Sequence, residues 1–313
     1  MTEKKSDFSY GGQAVMEGVM MRGAHSMAVA VRKPDGDVIL HTEDLNPHIY
    51  TGRIVKIPFL RALTSLWDVL VLGIRTLMFS AEVALDEEDD VEFSGPVAWG
   101  TVAVSFALGI GLFFVVPLLL VGLIDRFIAS SFLSNVIEGI IRMTMFIGYI
   151  WLIGRVPDIR RVFGYHGAEH KTINAYEAGA ELTPDSVAQY STRHYRCGTA
   201  FLLSVMVISI LVFSLLGRPP MALRILSRIV LIPVVAGIAY EWIKFTARHR
   251  DNPIIRAVSA PNLALQGLTT REPDKSMLEV AIASLQRVLE GEGGELPAES
   301  APRPLARAES AST

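Results

Sequence analysis

From Val97 to Ile124 the chain carries no charged residue. A run of that length cannot sit in water as an isolated helix. Coiled as an α-helix, it spans the roughly 30 Å hydrocarbon core of a bilayer. Gly109, Gly111 and Pro117 within it allow a bend or close packing. Three more segments follow the same pattern: Asn135 to Gly154, Gly198 to Leu216 and Ile225 to Ile243. In the first of these Glu138 and Arg142 stand one turn apart and can pair. The last holds Pro233, has Arg228 near its start and ends in Tyr240-Glu241-Trp242. Charges in such helices face a bundle rather than lipid. Half the residues are hydrophobic and mean hydropathy is +0.37, with the surplus in blocks. The expected fold is an α-helical integral membrane protein of about four transmembrane helices, with a small N-terminal β-rich cytoplasmic unit.

Basic residues set the orientation. Arg155, Arg160, Arg161, Lys171, Arg193 and Arg196 lie between the second and third spans, and Lys244, Arg248, Arg250 and Arg256 follow the fourth. The other connections hold only Arg126, Arg218 and Arg224, with Arg228 just inside the helix. Both termini and the 155–197 loop are therefore expected in the cytoplasm. The first ten residues lack the apolar core of a signal peptide and are expected to stay attached. A net charge of −3 gives no field that would recruit nucleic acid, and the single Cys197 excludes a disulfide framework.

Outside the membrane domain, 96–245, the chain divides by pattern. Residues 1–56 form the β-rich unit, where Ala28 to Val31 and Val38 to Leu40 flank a Pro34-Asp35-Gly36-Asp37 turn. Residues 57–95 comprise a helix over 57–81 and an acidic linker, Asp86 to Asp90. Arg61, Asp68 and Arg75 form one stripe on that helix, which suits a helix lying in the interface, the favoured reading, or turning its stripe toward a bundle, while a full span would bury three charges. Residues 246–290 are a polar loop, Pro261 to Pro273, then an amphipathic helix over Ser276 to Leu289. A Gly-, Pro- and Ser-rich tail, 291–313, is expected to be disordered.

One polar island stands between the spans, His166-Gly167-Ala168-Glu169-His170. On a helix the two imidazoles share a face and can hold a metal, while Glu169 serves as general base. A catalytic site needs a third ligand, and His194, Cys197, Glu241, Glu177 and Glu17 are the candidates. Zinc is the first choice of divalent metal, then manganese or iron. Lys171, Arg193 and Arg196 would surround it with positive charge suited to a phosphate or carboxylate, or they only hold the loop inside. Gln13, Glu17 and Arg22 lie in a glycine-rich stretch that is either a kinked strand or a backbone approaching a ligand. Against a catalytic metal stand polar interfacial histidines, a structural metal clamp, or Cys197 as nucleophile with His194 as base.

Five separated stretches, covering roughly residues 8–290, resemble the YqhQ-like family of bacterial membrane proteins. They are Gly11 to Gly23, Tyr165 to Thr172, His194 to Thr199, Ala236 to Glu241 and Leu265 to Pro273. The resemblance implies a multi-pass protein of the bacterial cytoplasmic membrane and a suspected metal-dependent enzyme, with no named substrate. The island is also similar in order to the inverted zinc-peptidase motif, an analogy of pattern alone. The expectation is a metal-dependent hydrolase or related enzyme at the cytoplasmic membrane face, with membrane-associated (lipid-linked), phosphorylated and peptide substrates all open. The alternative is a scaffold or transport component. The long first and third spans, with almost no polar groups, argue against conduction.

Overall fold

The computed structural model describes residues 10–45, 57, 60–84, 96–217 and 219–293. The acidic run at 86–90 and the tail from 294 onward lie outside the described residues.

Strands β1 (Gly11–Val15), β2 (Gly18–Arg22), β3 (Ser26–Arg32) and β4 (Val38–Asp44) form an antiparallel sheet in the order β1-β2-β3-β4. The β3–β4 turn uses the expected residues: Gly36 takes φ +96° and Asp35 accepts the Asp37 N–H. Strand periodicity sorts the sheet into two buried faces. Val19, Met21, Ala28 and Ala30 pack on one side against Leu278, Ala281, Leu285 and Val288 of a C-terminal helix, α10 (Lys275–Gly291). Met20, Met27, Val29 and Val31 pack on the other against Leu72 of α1 (Leu60–Ala84). The amphipathic helix at the end of the chain thus completes the unit at its start.

Among the described residues four helices are long and apolar enough to cross a membrane: Leu60–Ala84, Trp99–Phe127, Ser131–Ile153 and Met221–Arg248. No more than 28% of the apolar window of any of them is buried, so their apolar side chains face outward, as lipid requires. The second is α2 (Pro96–Ile110), a π-helical turn (Gly111–Val115) and α3 (Val116–Ile124). Pro117 has no N–H to give, and the Val116 N–H reaches back to Gly111 O instead. The others are α4 (Ser131–Ile153) and α8 (Met221–Arg248).

The membership of this set differs from the sequence expectation. Gly198–Ser214, here α7, has 17 residues and is shorter than the span foreseen for it. Leu60–Ala84 qualifies by length, yet its second half lies along the sheet: Phe79 and Val83 pack on it, and Ser80 Oγ accepts the Met16 N–H. Of its charged stripe, Arg61 turns inward and donates to Glu241 at 2.8 Å, and Asp68 is half-buried, whereas Arg75 is exposed. A second correction concerns 261–273. Most of it is helical, because Asn252 caps α9 (Pro253–Thr269), which carries Pro261 inside it. Helix α9 lies against the bundle through Leu265, in a core with Phe146, Ile150 and Leu203, and through Asn262, which donates to Ser204 Oγ.

At one end of the bundle Glu138 is buried among Arg142, Arg224 and Arg228, at 2.6, 3.1 and 3.0 Å. The charges of α4 and α8 thus face inward as expected. Asp125 holds Arg224 at 3.4 Å, and Phe213 of α7 lies 4.2 Å beneath the Arg228 guanidinium. Removing one partner from a buried pair leaves the others uncompensated, at a cost of about 3–5 kcal/mol. Glu138→Gln should therefore lower unfolding stability in detergent by about that amount. Glu43→Gln, in an exposed pair with His41, should change it by less than about 1 kcal/mol.

Candidate metal centre

Helix α5 (Pro157–Glu177) follows α4 at the other end of the bundle and carries the island. Pro157 starts it and Asp158 sits in its first turn, where a negative charge suits the helix dipole. Glycines let neighbouring backbone close in. A Cβ on Gly167 would lie 2.1 Å from Arg271 O, and the Arg271 N–H donates to Phe163 O across that gap. A Cβ on Gly12 of β1 would lie 2.9 Å from the Glu169 side chain. Close approach explains the glycine in each motif.

These approaches set the imidazoles. His166 Nδ1 is 2.8 Å from Thr269 O, and His170 Nδ1 is 2.6 Å from Thr192 O. A carbonyl can only accept, so each Nδ1 carries the proton and each Nε2 keeps its lone pair. The rings stand 4.4 Å apart, and His166 Nε2 is 3.2 Å from Cys197 Sγ at the N-cap of α7. His166, His170 and Cys197 each bring a ligand atom within 4.8 Å of the others. Backbone carbonyls behind the ligand imidazoles are the usual outer support of a metal site. The donor set therefore fits a metal by its chemistry as well as its spacing.

The other candidates fall elsewhere. His194 is a neighbour: its ring is 5.7 Å from His170, its Nε2 is 4.0 Å from Glu177, and it is not among the converging atoms. Its backbone is clamped by Gln266, which accepts its N–H at 2.9 Å and donates to its carbonyl at 2.8 Å. Glu241 is held by Arg61 and is no ligand here. Glu17 pairs with Arg161 and accepts from Tyr165. Gln13 packs on Gly73 of α1, and Arg22 lies in the field of Asp68. These three fasten the sheet to its helices, and Gly12 of their stretch closes on the island. Lys171 is buried, donating to Ala188 O, just past the short helix α6 (Pro184–Val187), at 2.7 Å and meeting Glu272 at 2.6 Å. Arg196 bridges Glu177 and Tyr10 O.

Glu169 is buried against β1. Desolvation holds its carboxyl above the ordinary range, opposed by His166 and by a hydrogen bond from Gly12. His194 is pushed down to about 3 by burial first, then by Arg196, His170 and Arg250. Sequence reasoning missed the supports: the Thr192 and Thr269 carbonyls have no side-chain signature, and Gln266 was visible only as a motif member.

A profile of DUF1385, described as a protein of unknown function, matches residues 57–291. The Uncharacterized protein YqhQ of Bacillus subtilis (strain 168) is 36% identical over 301 residues, which cover 92% of this chain and 95% of that one. No solved structure matches the chain.

The two shifted groups oppose each other with pH. The unfolded chain protonates His194 near 6.5 while the folded chain refuses the proton until about 3. Its stabilisation is complete above 6.5 and is lost as pH falls toward 3. Glu169 contributes below 4.5, and that contribution is lost as pH rises through its higher folded value. In chelator-treated protein, His194→Gln should therefore reduce the slope of unfolding stability between pH 4.5 and 6.5. The reduction corresponds to one proton, about 1.4 kcal/mol per pH unit. Chemical unfolding across that range reads it directly, and an unchanged slope would contradict a neutral buried His194.

Proposed function

We propose that this chain, which belongs to the DUF1385 family, is a metal-dependent enzyme of hydrolase type at the cytoplasmic face of the bacterial membrane. The observation that carries the reading is the convergence of His166, His170 and Cys197 on one point. Three protein ligands leave a tetrahedral ion one position for water or substrate, the pattern of catalytic zinc. Two imidazoles and a thiolate favour zinc, then iron, and suit oxygen-seeking manganese least. A divalent ion held there would polarise a substrate oxygen and ease deprotonation of water near neutral pH. Glu169, on the same helix, is the group that takes and returns the proton. Its burial keeps that proton on to a higher pH than an ordinary glutamate, which suits a general acid–base role.

A second reading rests on enclosure. His170 and Cys197 are only 1% and 5% exposed, which suits a structural metal clamping loop to bundle in a non-enzymatic scaffold.

Elemental analysis of the detergent-purified protein should find near-stoichiometric zinc or iron, absent from a folded His166→Ala/His170→Ala variant. Glu169→Gln should keep the metal, yet fail to rescue a deletion strain. Rescue by Glu169→Gln would favour the scaffold. No metal in the wild type after reconstitution at neutral pH would overturn both metal readings.

A further inference from the structure

A cleft of about 320 Å³ opens beside the histidine cluster, between the end of α5, the 190–196 loop and the cytoplasmic end of α8. Its size is at the small end of ligand pockets, roughly 300–1,000 Å³. Arg193, Arg196 and Arg250 line it with Asn174, Tyr190 and Tyr195, and no carboxylate is among the lining residues. Glu177 reaches it from the edge, bonded to Arg196 and 3.9 Å from Arg250. Among the described residues Arg193 has no carboxylate at ion-pair distance, and the residue is exposed. Its backbone is nonetheless fixed, because Asn174 donates to the Arg193 and Ser191 carbonyls. Three guanidiniums against one carboxylate leave two positive charges on a preformed wall.

We propose that this cleft seats a phosphate group and that the enzyme's substrate is a phosphorylated molecule. A phosphate monoester dianion matches the surplus charge, and guanidinium forks match its oxygens. His194 also lines the cleft, and its ring stands 5.7 Å from that of His170, so one imidazole separates the anion seat from the metal ligands. Ala247 and Arg250 place the opening beside the end of α8, where a lipid headgroup and a soluble phosphate ester can both arrive. The substrate class rests on the metal-enzyme reading, whereas the anion seat stands on the cleft alone.

The test uses the full chain in detergent, with its metal content measured on the same sample. Inorganic phosphate and a short-chain phosphatidate are titrated calorimetrically, with short-chain phosphatidylcholine as blank. Both phosphates should bind, about tenfold or more weaker in Arg193→Gln/Arg250→Gln, with partial recovery in Arg193→Lys/Arg250→Lys. Tighter binding of phosphatidate than of phosphate would assign a lipid source, and equal binding a soluble one. No binding of either, or binding unaltered in the glutamine variant, would overturn the proposal. Metal without phosphate binding leaves the enzyme reading standing and removes the substrate class. Phosphate binding without metal keeps the anion seat and removes the enzyme.

Discussion

A helix as polar as α5 can be buried only if its neighbours satisfy its polar groups, since each one left unpaired costs about 1–3 kcal/mol. His166 bonds to Thr269, His170 to Thr192, Lys171 to Ala188, and Glu169 takes the Gly12 N–H. Those partners come from β1, from the loop before α7 and from the end of α9. Satisfying one helix therefore draws distant stretches of chain together. Thr172 Oγ1 is the exception, buried without a partner, and we have no physical account of it. The bonds that make burial tolerable are also those that hold both imidazoles beside Cys197. Structural need and site geometry have one cause here.

The two ends of the bundle accommodate charge beside apolar helices differently. At the end away from α5, three arginines share Glu138 and Asp125, and the Phe213 and Phe114 rings lie against two of the guanidiniums. Arg142 Nε, Arg224 Nε and Arg228 Nη1 still lack acceptors, so the network binds α4 to α8 at a desolvation cost that charge pairing and hydrogen bonds to Asn135 offset. At the other end the charges open into a cleft and face solvent.

Several features were legible from local pattern. The β3–β4 turn, the methionines filling a core, the inward-facing Glu138 and Arg142, and the amphipathic C-terminal helix all follow from period and turn chemistry. Other placements depended on what packs opposite a residue, which local pattern does not carry. Gln13, Glu17 and Arg22 had the composition of a ligand site, yet they meet α1 and α5. Glu241 stood at a plausible depth for a ligand, but Arg61 on α1 takes its charge. The segment around Pro261 looked like a loop because proline is a helix breaker, while Asn252 supplies a cap and Leu265 an apolar anchor.

By itself the sequence determined that apolar blocks of this length leave the chain little choice but to form long helices with outward apolar faces, because backbone satisfaction and hydrophobicity are local properties. It also determined that His166 and His170 share a helix face, since helical period depends on nothing beyond the segment. Which third residue joins them was not local. His194, Cys197, Glu241, Glu177 and Glu17 were all open on spacing, and Cys197 is the one that converges because it caps the start of α7 with its thiol 3.2 Å from His166. The carbonyls behind the imidazoles, and the pairing of the N-terminal sheet with the C-terminal helix, were likewise decided by tertiary packing. Contacts between residues more than two hundred positions apart, such as Ser284 to Ala28, leave no periodic trace in either stretch.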